Sequence, residues 1–156
     1  MVGKSQTTLA GRQRLRVVNF RLSQPPFPGQ FSVITTMGNP KFTEAYYNRG
    51  VTYGKFGNYQ QAIKDYNKVI ELNPQYAKTY YNRGVTYGSF GNYQQAIKDY
   101  NKAIELNPQD AEAYYNRGAT YGKLGNYQQD IENSKIAAGL GHKHAQDFLR
   151  SEGIKW

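Results

Sequence analysis

The sequence contains no cysteine, which excludes disulfides, zinc-thiolate sites and thiol nucleophiles. Histidine is almost absent as well: His142 and His144 are two apart, a spacing that sends side chains to different sides of a helix and does not suit a metal pair. Both are expected on a solvated surface. No apolar run of about 18 residues is present to span a membrane, and the N-terminus lacks the apolar stretch of a secretory signal. Apolar residues make up only 38% of the 156 positions, which argues against one large core. Acidic residues are missing from the first 40 positions, where Lys4, Arg12, Arg14, Arg16 and Arg21 lie. Of the formal charge of +9, the remainder of the chain therefore carries about +4. That modest excess weakens a nucleic-acid reading.

What is abundant is tyrosine. There are fifteen, all between Tyr46 and Tyr127, so this window repeatedly needs a flat ring with a polar tip. The stretch "YYNRGVTYG" at 46–54 returns at 80–88, and again as "YYNRGATYG" at 114–122, each time 34 positions on. A period of this length signals stacked supersecondary units, none of which buries its apolar face alone. Each copy reads as two helices. The first is expected to open at Asn-Pro, with Asn73 or Asn107 as N-cap and Pro74 or Pro108 at the first helical position. It should stop near Gly57, Gly91 and Gly125. The second should open at Asn58, Asn92 or Asn126, with Gln61, Gln95 or Gln129 at capping-box spacing.

Counted from Thr43, Ala77 and Ala111, the units carry an aromatic at position 4 (Tyr46, Tyr80, Tyr114), glycine at 8 (Gly50, Gly84, Gly118) and tyrosine at 11 (Tyr53, Tyr87, Tyr121). Ala62 and Ala96 occupy position 20, Tyr66 and Tyr100 position 24, Pro74 and Pro108 position 32. In these residues the chain resembles the tetratricopeptide repeat. The resemblance implies an all-α, right-handed α-solenoid of three helix-turn-helix units, 39–72, 73–106 and 107–140, closed by a capping helix and tail at 141–156. Packing explains the pattern: glycine at 8 and alanine at 20 let paired helices approach, and the tyrosines at 4 and 11 are expected in the core. The third unit departs, with Asp130 at position 20 and Ser134 at 24, and so reads as the end of the array. Ala145, Phe148 and Leu149 then recur at helical spacing in the cap.

Residues 1–38 are unlike the rest: basic, proline-containing and read as a disordered tail. A start at Met37, an organelle leader and a packed N-terminal cap all remain open readings, with the cytoplasm as the expected compartment if no leader operates.

No phosphate-binding loop, nucleophile–base set or metal cluster is written in the chain, so no catalytic residue, cofactor or metal is expected. The arginines at position 7, Arg49, Arg83 and Arg117, replace the family's aliphatic. They are expected to pair with an aspartate on the preceding unit, as Asp65–Arg83 and Asp99–Arg117; pairing within a unit is the alternative. The resemblance further implies that the first helices line a concave groove. There it places Tyr47, Tyr81 and Tyr115; Asn48, Asn82 and Asn116; Val51 and Val85; and Lys55, Lys78 and Lys123. An asparagine amide both donates and accepts, so a row of them suits a peptide backbone of any sequence. A protein or peptide partner held non-catalytically is the expected function. The family's carboxylate clamp is not matched: Tyr47, Val51, Glu112 and Asn116 stand at its positions and only Asn82 agrees. Two alternatives stand beside the groove. One is a self-associating array stacked end to end. The other is nucleic-acid binding along Lys64, Lys68, Lys98 and Lys102, weakened by the interleaved Glu71 and Glu105.

Overall fold

The computed structural model describes residues 40–156; the expectations for residues 1–38 lie outside the described residues. Seven helices follow one another among them: α1 (Pro40–Lys55), α2 (Tyr59–Leu72), α3 (Ala77–Ser89), α4 (Tyr93–Leu106), α5 (Ala111–Lys123), α6 (Tyr127–Gly139) and α7 (Lys143–Ser151). They form three antiparallel hairpins, α1–α2, α3–α4 and α5–α6, with α7 laid against α6. Each helix packs on its neighbours in the chain, and the first helices of successive hairpins touch one another, α1 with α3 and α3 with α5. The all-α solenoid with a capping helix is the fold the repeat implied.

Within a hairpin the turn is made by one glycine. Gly57, Gly91 and Gly125 take φ of 75°, 82° and 78°, the left-handed conformation that ends a helix at little cost only for glycine. The asparagine that follows is the N-cap of the second helix. The Asn92 and Asn126 side chains accept from the backbone N–H of Gln95 and Gln129, whereas Asn58 makes no such bond.

The Asn-Pro expectation needs correction. Pro40 opens α1, but Asn73 and Asn107 close α2 and α4, donating their N–H groups to Val69 and Ala103 at 2.7 and 2.8 Å. A residue before proline is kept out of the helical region, and both asparagines sit extended, at φ −145° and −141°. The chain then needs a further turn to redirect itself, so α3 and α5 start at Ala77 and Ala111, three residues past the prolines.

The core runs along the seams. Ala62, Tyr66, Val69, Ala96, Ile97, Tyr100 and Ala103 of the second helices are buried. A methyl group at Gly84 would lie 2.8 Å from the Tyr100 ring, and one at Gly50 2.9 Å from Tyr66, so both glycines exist to admit a ring. The tyrosines of positions 4 and 11 are less deep than expected: of these six only Tyr80 is buried, and the others are half-exposed. Position 24 lies at the seam between two hairpins, and the deeply buried rings are there. At the C-terminal end Ala145 and Leu149 of α7 pack on Ala137 and Ala138 of α6, with Phe148 and Ile154 at the edge.

Candidate functional site

The first helices bring two pairs of the expected residues together. Asn82 Nδ2 donates to the Tyr47 hydroxyl at 2.7 Å, and Asn116 Nδ2 donates to the Tyr81 hydroxyl at 2.9 Å and to the Glu112 carbonyl at 3.0 Å. Each tyrosine belongs to the hairpin before its asparagine, so a hydroxyl-to-amide bridge links neighbouring hairpins along this face. Burial pushes the Tyr81 hydroxyl up to about 12, with Glu112 and Asp110 adding to it, so the phenol keeps its proton at neutral pH. Tyr47 is raised in the same sense, again chiefly by burial.

Tyr115 has no following asparagine to meet. Its ring stacks on His142, with centroids 4.4 Å apart. His142 is therefore buried, contrary to the surface position expected from sequence; His144 is exposed. The His142 Nδ1 accepts the Ala145 N–H at 3.1 Å, capping α7, and the His142 Nε2 lies 3.2 Å from Glu112 Oε1. A signal was available. "GH" at 141–142 repeats the "GN" of the three hairpin turns, and Gly141 has φ of 91°.

Two hollows border this face. One, of about 250 Å³, lies between Val85, Gly88 and Ser89 on α3 and Asn116, Ala119 and Lys123 on α5. The other, of about 430 Å³, is lined by Glu44, Tyr47, Asn48, Leu72 and Tyr76 at the first hairpin. Val51, Lys55 and Lys78 border neither. Among the described residues no group of three histidine or carboxylate side chains is placed to hold a metal ion.

The position-7 arginines pair within their own hairpins, which corrects the cross-unit expectation. Arg49 holds Asp65 with two bonds of 2.8 Å, Arg83 holds Asp99 with two of 2.7 Å, and Arg117 reaches the Asn133 amide oxygen at 2.8 Å. The cross-unit partner is instead an asparagine: Arg83 donates to Asn67 at 2.6 Å and Arg117 to Asn101 at 2.7 Å. Burial lowers Arg117 from its ordinary value, for it has an amide where Arg83 has a carboxylate. Arg83 and Arg117 thus each bond to two hairpins, while Arg49 bonds within its own.

Tetratricopeptide models match residues 43–76 and 65–98, and a TPR-repeat model matches residues 89–125. The chain belongs to the tetratricopeptide repeat family. A search of curated protein sequences finds no match. Among solved structures, this tetratricopeptide protein is similar to MamA at 32% identity and a TM-score of 0.64, over 75% of this chain and 66% of the other. It thus spans just under two thirds of that MamA chain. An Arabidopsis OM64 TPR domain is 27% identical with a TM-score of 0.67, covering 74% of this chain and 99% of the domain. The first TPR of Spaghetti (RPAP3), solved with an HSP90 peptide, shares the fold at 24% identity and a TM-score of 0.68, over 74% and 94% of the two chains. The family is in general one of protein-interaction modules. Among the described residues, no helix is long and apolar enough to cross a membrane.

Proposed function

We propose that this tetratricopeptide protein is a non-catalytic receptor for an extended peptide, held along the face of α1, α3 and α5. The observation that supports it is the pinning of Asn82 and Asn116 by the preceding tyrosine hydroxyls. The bonds fix both rotamers, using one N–H of the Asn82 amide and, with the Glu112 carbonyl, both N–H groups of Asn116. Among the described residues neither carboxamide oxygen accepts a bond, so both are free to take N–H groups from a peptide backbone. Preset acceptors lose little freedom on binding. Tyr47, Tyr81 and Tyr115 supply ring area beside them; Asn48 and Val51 extend the face at one end, and Val85 floors the 250 Å³ hollow. Lys55, Lys78 and Lys123 are exposed, as are Glu44 and Glu112, so bulk charge does not select the ligand.

Spaghetti was solved with an HSP90 peptide, but Glu112 and Val51 here replace residues of a carboxylate clamp, and an acidic C-terminus is not the ligand this face favours. The test is selection from a displayed library of random heptapeptides. Wild type should enrich binders that are lost, by about tenfold or more, when Asn48, Asn82 and Asn116 are all alanine. Equal enrichment by both proteins would remove the groove from the function.

A further inference from the structure

The stripe of α1 that corresponds to the face which α3 and α5 turn to a preceding hairpin repeats residues which those two helices bury. Ala45 and Thr52 are exposed, whereas Thr79 and Thr86 on α3, and Ala113 and Thr120 on α5, are buried against the preceding hairpin. The Arg49 side chain is 57% exposed and that of Arg83 18%. Phe42 in α1 and Phe56, the residue just past its end, are 42% and 78% exposed and continue the same stripe at either end. Nothing described covers it. The other end of the array is closed: α7 buries Ala137 and Ala138, and presents Lys143, His144, Asp147 and Arg150 to solvent. Head-to-tail stacking therefore has only one of its two surfaces.

We infer that this stripe docks on its own copy, α1 against α1, antiparallel about a twofold axis at Arg49. The sequence of the stripe carries the inference. Phe42, Ala45, Arg49, Thr52 and Phe56 recur at steps of three and four, the seam of a paired helix, and read large, small, Arg, small, large in either direction. Reversal places each Phe42 on the second copy's Phe56 and each Ala45 within one residue of its Thr52, the self-complementarity a twofold contact requires. Two arginines meet at the axis, but each is neutralised by its own Asp65. The Nη1 of Arg49, the atom that in Arg83 and Arg117 crosses to an asparagine, has no such partner among the described residues. A single helix pair is a small interface, so the dimer is concentration-dependent and, being closed, goes no further than two.

Sedimentation equilibrium of the full chain should read a mass rising from 17.8 kDa toward twice that value with concentration. Ala45→Arg adds like charge beside Arg49 at an exposed position and should weaken association roughly tenfold or more, with helical circular dichroism unchanged. Mixed Ala45→Cys and Thr52→Cys proteins should oxidise to the mixed disulfide dimer in preference to either self-linked one, which reads the antiparallel register. A chain that stays monomeric overturns the inference. Alkylation of Ala45→Cys then identifies what replaces it, slow if residues 1–39 lie over the stripe and fast if solvent does. Dimers that ignore Ala45→Arg overturn it equally, since their contact lies elsewhere.

Discussion

Helices α1 and α3 contain the same nine residues, 46–54 and 80–88, and do not have the same environment. In α3 the threonine of that stretch is buried and its arginine is mostly covered; in α1 both are exposed. Nothing local differs between them. What differs is the hairpin before, which α3 has and α1, among the described residues, lacks. In a solenoid, burial is a property of the neighbour as much as of the residue.

The largest test of that difference removes the carboxylates beneath the arginines. Asp99→Ala strands a guanidinium inside the array and should cost about 3 kcal/mol, read as a fall in the urea midpoint. Asp65→Ala leaves Arg49 able to turn to water and should cost less than half as much. Equal losses would show that the preceding hairpin adds nothing to the pair. A smaller contrast lies in the glycines. Gly84→Ala drives a methyl into the Tyr100 ring at 2.8 Å and should cost about 2 kcal/mol. At Gly54 the nearest atom is 3.6 Å away, so Gly54→Ala should be tolerated or gain up to about 1 kcal/mol from helix propensity.

The smallest effect concerns the third hairpin. Asp130 stands where the other two have a buried alanine, its carboxylate pressed against Gly118 and Gly122 and reached, among the described residues, only by Ser134 Oγ, at 3.4 Å. Burial raises its carboxyl above the ordinary value, partly offset by Ser134. A carboxyl raised in this way binds its proton more readily folded than unfolded, so its ionisation weakens the fold as pH rises. Asp130→Ala should therefore stabilise by about 1 kcal/mol at neutral pH. The gain should begin to shrink as pH falls to the raised value, and vanish below the unfolded carboxylate's. A thermal melt series across pH 3–7 checks it.

Much of this was legible because the repeat samples each position three times. The left-handed glycines, the second-helix starts and the apolar face of α7 follow from local rules, and the structure has them. The arginine partners did not follow, for a geometric reason. Asp65 is 16 residues after Arg49 and 18 before Arg83, so spacing cannot choose between them; the supercoil of the array does. Asn73 and Asn107 misled because Asn-Pro suits either end of a helix, and which end is served depends on how far the chain must turn. The capping place of His142 was legible in its Gly-His pair, but its burial was not, since that comes from Tyr115 and Glu112 on the third hairpin. The candidate face was legible as a row of residue types. The bond from each asparagine amide to the preceding tyrosine hydroxyl was not.

The turn at Asn73 and the turn at Asn107 are made alike, down to the same capping bond from the asparagine N–H. A stretch such as residues 73–106 therefore begins and ends at equivalent joints. Copied in tandem, it would meet at each side the surface it already meets, and every added copy would lengthen the array by one rung without disturbing those in place. The number of rungs is thus open to change by simple duplication of the gene segment, which gives such a protein a ready way to lengthen its reach.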